Sequence, residues 1–250
     1  MEQLDVVVVG AGVIGLAVGR TLACSGRDVL VLEAESSAGL HCSSRNSGVI
    51  HAGLYYRRGS LKAGLCVRGK ELLYGYCNER GIRHDRIGKL IVASSQDELR
   101  ILAEIIMLAA ANGVTDLEHF SSVDARKHEP AIQCAGALYS PSTGIVDPIE
   151  LMLSLQGEIE DQGGSVVFNS RVSSLHAGDG SIRFSVGDDG FACSTLINAA
   201  SLWSSELVRD AIAAEVLPTQ QFAIGHYYSF LGRSPFRHLV YPVPSNGGLG

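Results

Sequence analysis

The order of apolar and polar positions predicts strands and helices in alternation, and its clearest stretch comes first. Four valines, Val6 to Val9, run into Gly10-Ala11-Gly12-Val13-Ile14-Gly15, and a second apolar run, Val29-Leu30-Val31-Leu32, stops at Glu33. This reads as strand, glycine turn, helix and a second strand closed by an acid. Further on, Ser60 can cap a helix whose apolar positions Leu61, Leu65, Leu72, Leu73 and Tyr76 recur at helical spacing, with Gly81 as its stop. Gly88 to Ala93 reads as a strand. Ser95-Gln96-Asp97-Glu98 reads as a capping box for a helix with Leu99, Leu102, Ile106 and Ala109 on one face and Asn112-Gly113 at its end. No second glycine fingerprint accompanies them, so the middle of the chain is expected to form a different layer.

The second half turns strand-rich. Asp147-Pro148 starts a helix that runs to about Asp161 and closes at Gly163-Gly164. Strands are then expected over Ser165–Asn169, Arg171–His176, Ile182–Val186 and Phe191–Ile197, with hairpin turns at 178–180 and 188–190. Asn198-Ala199-Ala200 makes a small-residue turn before a helix near Ser201, and Gln221 to Val243 predicts further strands. Gly247-Gly248-Leu249-Gly250 is no natural stop for a packed domain, so the chain is expected to be incomplete.

The opening unit has the layout of an adenine-dinucleotide site. Gly10 allows a tight turn, Gly12 lets backbone approach a pyrophosphate, and Gly15 lets the helix pack closely on the strand. The helix start offers N–H groups and a positive dipole end to phosphates. Glu33 stands where a carboxylate accepts hydrogen bonds from both ribose hydroxyls, and its charge disfavours a 2′-phosphate. These residues suit NAD and FAD equally.

Composition narrows the class. A net charge of −6 and no basic stripe argue against a nucleic-acid surface. Six cysteines without a CxxC pair read as reduced thiols, which implies a cytoplasmic setting. The apolar stretch Val6–Gly19 follows Asp5 rather than a basic segment and is shorter than the roughly 20 residues of a membrane span. Metal-ligand spacing, a nucleophile elbow and paired catalytic carboxylates are all missing from the pattern.

The densest polar constellation outside the fingerprint is Ser43-Ser44-Arg45-Asn46-Ser47-Gly48-Val49-Ile50-His51-Ala52-Gly53-Leu54-Tyr55-Tyr56. A plain surface loop would be hydrophilic throughout. Here Val49-Ile50 and Leu54-Tyr55-Tyr56 call for burial, and buried Arg45 and His51 would need partners, such as an anionic cofactor.

With these residues in view, the chain resembles the FAD-dependent oxidoreductases of the D-amino-acid oxidase superfamily. Within it, SSRNSGVIHAG resembles most closely the subgroup of L-2-hydroxyglutarate dehydrogenases and oxidases. Lys62 with its helix, Ile87–Ala93, Ala137–Pro141, Thr143–Asp147, Leu196–Ala200 and Val240–Pro244 match as well, so the resemblance spans essentially the whole chain. It implies an α/β fold (α+β overall), with a Rossmann-like FAD-binding domain and an interleaved, mainly antiparallel-sheet substrate domain. The expected division is 1–80 with 145–215 for FAD and 81–144 with 216–250 for substrate. Gly10, Gly12, Val13, Ile14 and Gly15 would hold the pyrophosphate, with Glu33 and Ala34 at the ribose. Ser43, Ser44, Arg45, Asn46 and Ser47 would run beside pyrophosphate, ribityl chain and flavin, with Val172, Ala199 and Ala200 at the adenosine half. His51 would stand near the flavin ring, with Tyr55 and Tyr56 on the substrate side. Members commonly carry lysine where this chain has Ile224, and they continue past residue 250 into a glycine-rich segment with substrate-carboxylate ligands.

The implied reaction is oxidation of an L-2-hydroxy acid, with L-2-hydroxyglutarate going to 2-oxoglutarate. A base takes the hydroxyl proton while hydride passes to flavin N5. His51 is the candidate base, weighed evenly against a flavin-contact or core-packing histidine. His226, beside two tyrosines in an expected strand, is a second candidate, and the other six histidines read as surface residues. Arg57, Arg58 and Lys62 can attract a dicarboxylate, although a solvated face is the better reading for Arg58. The same scaffold acting on an amino acid, a secondary amine or glycerol 3-phosphate stays open, as does a non-catalytic or incomplete flavin-binding protein. Oxygen, a quinone or a carrier would take the electrons; a quinone leaves room for a peripheral membrane contact.

Overall fold

The computed structural model describes residues 3–178 and 180–244. Asp179, inside one expected turn, and the glycine-rich 247–250 lie outside the described residues. In chain order the elements open with β1 (Gln3–Val9), α1 (Val13–Cys24), β2 (Val29–Leu32), β3 (Val49–Ile50), α2 (Leu61–Arg80), β4 (His84–Asp85) and β5 (Lys89–Ala93). Then come α3 (Leu99–Ala111), β6 (Glu118–Ser121), α4 (Ser122–His128), β7 (Gly136–Ser140) and β8 (Gly144–Val146). The remainder is α5 (Pro148–Asp161), β9 (Ser165–Val167), β10 (Val172–Gly178), β11 (Ser181–Val186), β12 (Asp189–Asn198), α6 (Ser204–Leu207) and β13 (Leu239–Pro242). They form two compact units, residues 1–46 with 148–225 and residues 47–147 with 226–250.

The first unit holds a six-stranded sheet in the order β10-β11-β12-β1-β2-β9. β12, β1, β2 and β9 run parallel, and β10 and β11 extend the sheet antiparallel. Because both faces of β1 are covered, it is apolar without alternation: Val6, Val7 and Val8 are all fully buried. On one face Val7, Val9 and Leu32 pack with Val172, Phe184 and Cys193. Helix α1 comes close to the sheet and to α5 through Gly19, where an added Cβ would stand 3.2 Å from both Ile159 and Val31. The chain leaves β1 toward β2 on one side and finds β12 on the other, so strand order reverses between β1 and β12. Ligands of open parallel sheets sit beyond the carboxyl ends of the strands at such a point.

The second unit is built on a sheet ordered β13-β5-β7-β6, antiparallel except for β13 and β5, and a small sheet β3-β8-β4. Ile91 and Ala93 of β5 face α3 through Leu102, Ile105 and Ala109, together with Ala52 and Leu54 of the polar loop. Leu90 faces the other way, onto Phe120, Ala125 and Ala137. Residues 47–80 fall in this unit, where the sequence reading set its boundary at 80. β3 pairs with β8, and the Tyr74 hydroxyl of α2 donates to the Ser142 carbonyl, which ties that stretch here.

Two expected features differ. Helix α2 forms with Ser60 as N-cap and Gly81 left-handed at its end, but it buries Ala63, Lys70, Tyr74 and Cys77. Leu61, Leu65 and Leu72 are exposed instead, because the buried stripe begins at a small residue and uses a lysine stem as apolar surface. Between Gln221 and Val243 the only strand among the described residues is Leu239–Pro242, and Gln221–Arg237 is exposed without regular structure. Aromatic composition marked that stretch as β, but it makes no described ladder to a neighbouring strand.

Candidate functional site

At the carboxyl ends of β1 and β12, in the first unit, lies a cavity of about 520 Å³, within the roughly 300–1,000 Å³ range of small-molecule sites. Gly10, with φ of +105°, turns the chain out of β1, and an added Cβ there would stand 2.6 Å from the Ala199 carbonyl oxygen. A Cβ at Gly15 would collide with the Gly10 carbonyl, so α1 can start this close to β1 only with glycine at 15. Helix α1 has Gly12 as its N-cap and no side-chain cap. The N–H groups of its first turn have no acceptor inside the helix; Val13 donates its N–H to Ser43 Oγ at 3.0 Å.

Glu33 ends β2 and is held from two sides. Ala11 N–H donates to one carboxylate oxygen at 2.7 Å and Glu35 N–H to the other at 3.0 Å. Each oxygen keeps a second acceptor site, and the carboxylate lines the cavity. At the rim, Glu35 pairs with His41 at 3.2 Å and Arg171 at 3.6 Å.

Of the sequence-predicted residues, Gly10, Gly12, Glu33, Ala34, Ser43, Val172, Ala199 and Ala200 line this cavity. Val13, Ile14 and Gly15 shape the helix start beside it. Ser44, Arg45, Asn46 and Ser47 are exposed and do not line it. The expected burial of this loop holds in full for Ile50 and Leu54; Val49, His51, Tyr55 and Tyr56 are half-buried, and Arg45 is exposed. Sequence reasoning missed His41, Arg171 and Trp203 in the lining. His41 and Trp203 meet edge to face at 4.6 Å; Trp203 is the chain's one tryptophan, a signal that was available.

A second polar cluster forms within the second unit around His51. Burial, with Lys89 and then Lys62 adding positive charge, lowers its pKa to about 4, so the imidazole is neutral at pH 7. Cys66 Sγ donates to the His51 carbonyl at 3.3 Å. Tyr56 lies under Lys62, whose Nζ is 4.5 Å from the ring, and burial pushes its phenol up to about 12. Lys89 Nζ donates to Tyr55 Oη at 3.2 Å. His226 is not part of this cluster: it is exposed, and its segment forms no strand. Nor is His238 a surface residue as expected, because its Nδ1 lies 2.7 Å from the fully buried Glu129 carboxylate.

The model of the family described as FAD dependent oxidoreductase (DAO) matches residues 5–249. This chain belongs to that family. Its FAD cofactor fits the cavity by three features: the unhindered glycine turn, the open helix start and the anchored acid. Among curated relatives, this chain is 38% identical to the mitochondrial L-2-hydroxyglutarate dehydrogenase of Arabidopsis thaliana, an alignment covering 100% of this chain and 59% of the relative. It is 33% identical to the L-2-hydroxyglutarate dehydrogenase of Escherichia coli K12, over 96% of this chain and 58% of the relative. The chain thus spans less than two thirds of either. Among solved structures it superposes on FAD-bound L-α-glycerophosphate oxidase from Mycoplasma pneumoniae with a TM-score of 0.87, at 24% identity, over 100% of this chain and 67% of that one. Glycine oxidase from Geobacillus kaustophilus gives 0.74 at 22% identity, over 84% and 58%. At these identities the structures establish the fold alone.

Proposed function

We propose that this chain carries the FAD-binding and substrate-binding parts of an enzyme that oxidises L-2-hydroxyglutarate to 2-oxoglutarate. The observation that carries the reading is 38% identity to an L-2-hydroxyglutarate dehydrogenase along the entire chain. The first unit is the FAD-binding part, with Gly10, Gly12 and the α1 start at the pyrophosphate, Glu33 and Ala34 at the adenosine ribose, and Val172, Ala199 and Ala200 at the adenosine half. The second is the substrate part. When bound, FAD supplies the hydride acceptor.

His51 is the base that takes the substrate's hydroxyl proton. It is neutral at pH 7, the form that can accept one, and a bound carboxylate would raise its affinity for that proton. Tyr55 and Tyr56 are the substrate-side groups, and Lys62 with Arg57 provides positive charge that favours a dicarboxylate. Oxygen, a quinone or a carrier protein takes the electrons. The six cysteines are all free thiols in the described residues, which suits a reducing compartment. Among the described residues no helix is long and apolar enough to cross a membrane.

Glycerol 3-phosphate, an amino acid or a secondary amine is the competing substrate on the same scaffold. Anaerobic spectra of the purified full-length protein separate them: L-2-hydroxyglutarate should bleach the flavin, and glycerol 3-phosphate and glycine should not. Bleaching by glycerol 3-phosphate instead would overturn the substrate assignment, and a colourless protein would overturn the flavoenzyme reading altogether.

A further inference from the structure

The most unusual side chain in the second unit is Lys89. On β5, alternation puts Lys89 on the same face as Ile91 and Ala93, the face covered by α3 and the 52–54 loop. Lys89 is 1% exposed. Burying an ammonium costs several kcal/mol unless a carboxylate and further hydrogen bonds offset it. Among the described residues Lys89 forms no ion pair. Its neighbours are Tyr55 Oη at 3.2 Å and the faces of the Tyr55 and Tyr241 rings, at 5.1 and 4.9 Å from Nζ.

The sense of the Lys89–Tyr55 hydrogen bond is forced. An ammonium has three donors and no acceptor, so the phenol oxygen must accept. Tyr55 keeps its proton at neutral pH, since burial raises its pKa. The Tyr55 O–H is therefore left to donate elsewhere, from a residue that is half-buried rather than sealed. A phenol that accepts from a cation is a stronger donor than a free one. Lys89, lowered by burial to about 8, remains mostly charged at pH 7 and adds attraction for an anion.

We propose that Lys89 is a positioning residue that makes the Tyr55 hydroxyl a dedicated hydrogen-bond donor to a carboxylate of the substrate. Carboxylates are acceptor-only groups, and the dicarboxylate of the proposed function, on which this inference rests, supplies two. A purely structural Lys89 makes the opposite forecast for one variant. Methionine has similar length, so Lys89→Met keeps the packing and removes the cost of a buried charge.

The test uses the full-length flavoprotein, with 2-oxoglutarate titrated as a non-reducible ligand through its perturbation of the flavin spectrum, and a thermal melt of each variant. Lys89→Met should melt at or above the wild-type temperature yet bind 2-oxoglutarate on the order of 10–100-fold more weakly, the size of a charge-assisted hydrogen bond. Tyr55→Phe should lose a similar factor, and the double variant should lose little more, because the two act as one unit. KM should carry most of the effect and kcat less. Wild-type affinity in Tyr55→Phe, or fully additive losses, would overturn the proposal, as would a wild-type protein that does not bind 2-oxoglutarate. If Lys89→Met fails to fold, Tyr55→Phe alone decides, for or against. Failure of the functional reading shows separately, as a wild-type flavin that L-2-hydroxyglutarate does not bleach.

Discussion

A methyl group at position 15 has nowhere to go: the Gly10 carbonyl already occupies its place. Gly15→Ala should therefore push α1 off β1, costing about 1–3 kcal/mol and lowering flavin content in the purified protein; wild-type flavin content in that variant would show that the turn does not shape the site. His51 makes a prediction of sign. Its folded pKa lies near 4, below the usual histidine value of 6.5, so between these pH values the unfolded chain binds a proton that the native one does not. Stability should then fall as pH drops through that window, and His51→Gln should flatten this part of the profile in urea melts at several pH values. The cavity glycines and Glu33 were legible in the sequence because each answers a local backbone or charge demand. Lys89 and Trp203 were not, since what matters about them is which distant side chains they meet.

Among the elements, α4 and the stretch leading into β13 are joined by one carboxylate. Glu129 Oε1 accepts the N–H groups of Arg237 and His238, at 2.8 and 2.6 Å, as well as the His238 ring nitrogen. Burial works to raise the Glu129 pKa, but these bonds outweigh it and hold it below the usual value. Its stabilisation is present above the unfolded carboxylate range and lost as pH falls through the lowered folded value. Glu129→Ala leaves buried N–H groups without an acceptor and should cost about 2–4 kcal/mol in chemical denaturation; a loss under 1 kcal/mol would mean that solvent replaces the carboxylate. The capped helix α2 gives a gentler case: Ser60 Oγ accepts from Ala63 N–H at 3.2 Å, and Ser60→Ala should cost about 1 kcal/mol. Helices and hairpins with clear stops were readable to within a few residues. The capping box at Ser95 was not: α3 starts at Leu99, and Glu98 reaches back to Ser94 N–H instead. The aromatic run after Gln221 misled because side-chain preference for strands means little where no neighbouring strand offers a ladder.

For the whole molecule, the cavity can be tested without any turnover. Cys24 and Cys42 are exposed, but only Cys42 lines the cavity, while Cys77 and Cys193 are buried. A thiol reagent should label Cys24 and Cys42 in native protein and the buried pair only on unfolding, with FAD protecting Cys42 and not Cys24, read by peptide mass spectrometry. FAD should also raise the melting temperature by mass action. The alternation of two units was visible in sequence as a change of pattern, but the exact crossings were not, because short pairings such as β3 with β8 leave almost no periodic signal. That interleaving has a consequence for synthesis. β1 finds β2 early, yet its other edge waits for β12, where Gln3 pairs with Ala192 and Val9 with Asn198. At ribosomal rates of about 5–20 residues per second, some 190 residues must follow before that partner arrives, roughly 10–40 s. Throughout that interval the emerging chain carries an apolar strand with one bare edge, the kind of surface that recruits other strands. Its yield in cells should therefore depend on chaperones that shield nascent chains more than its finished stability would suggest.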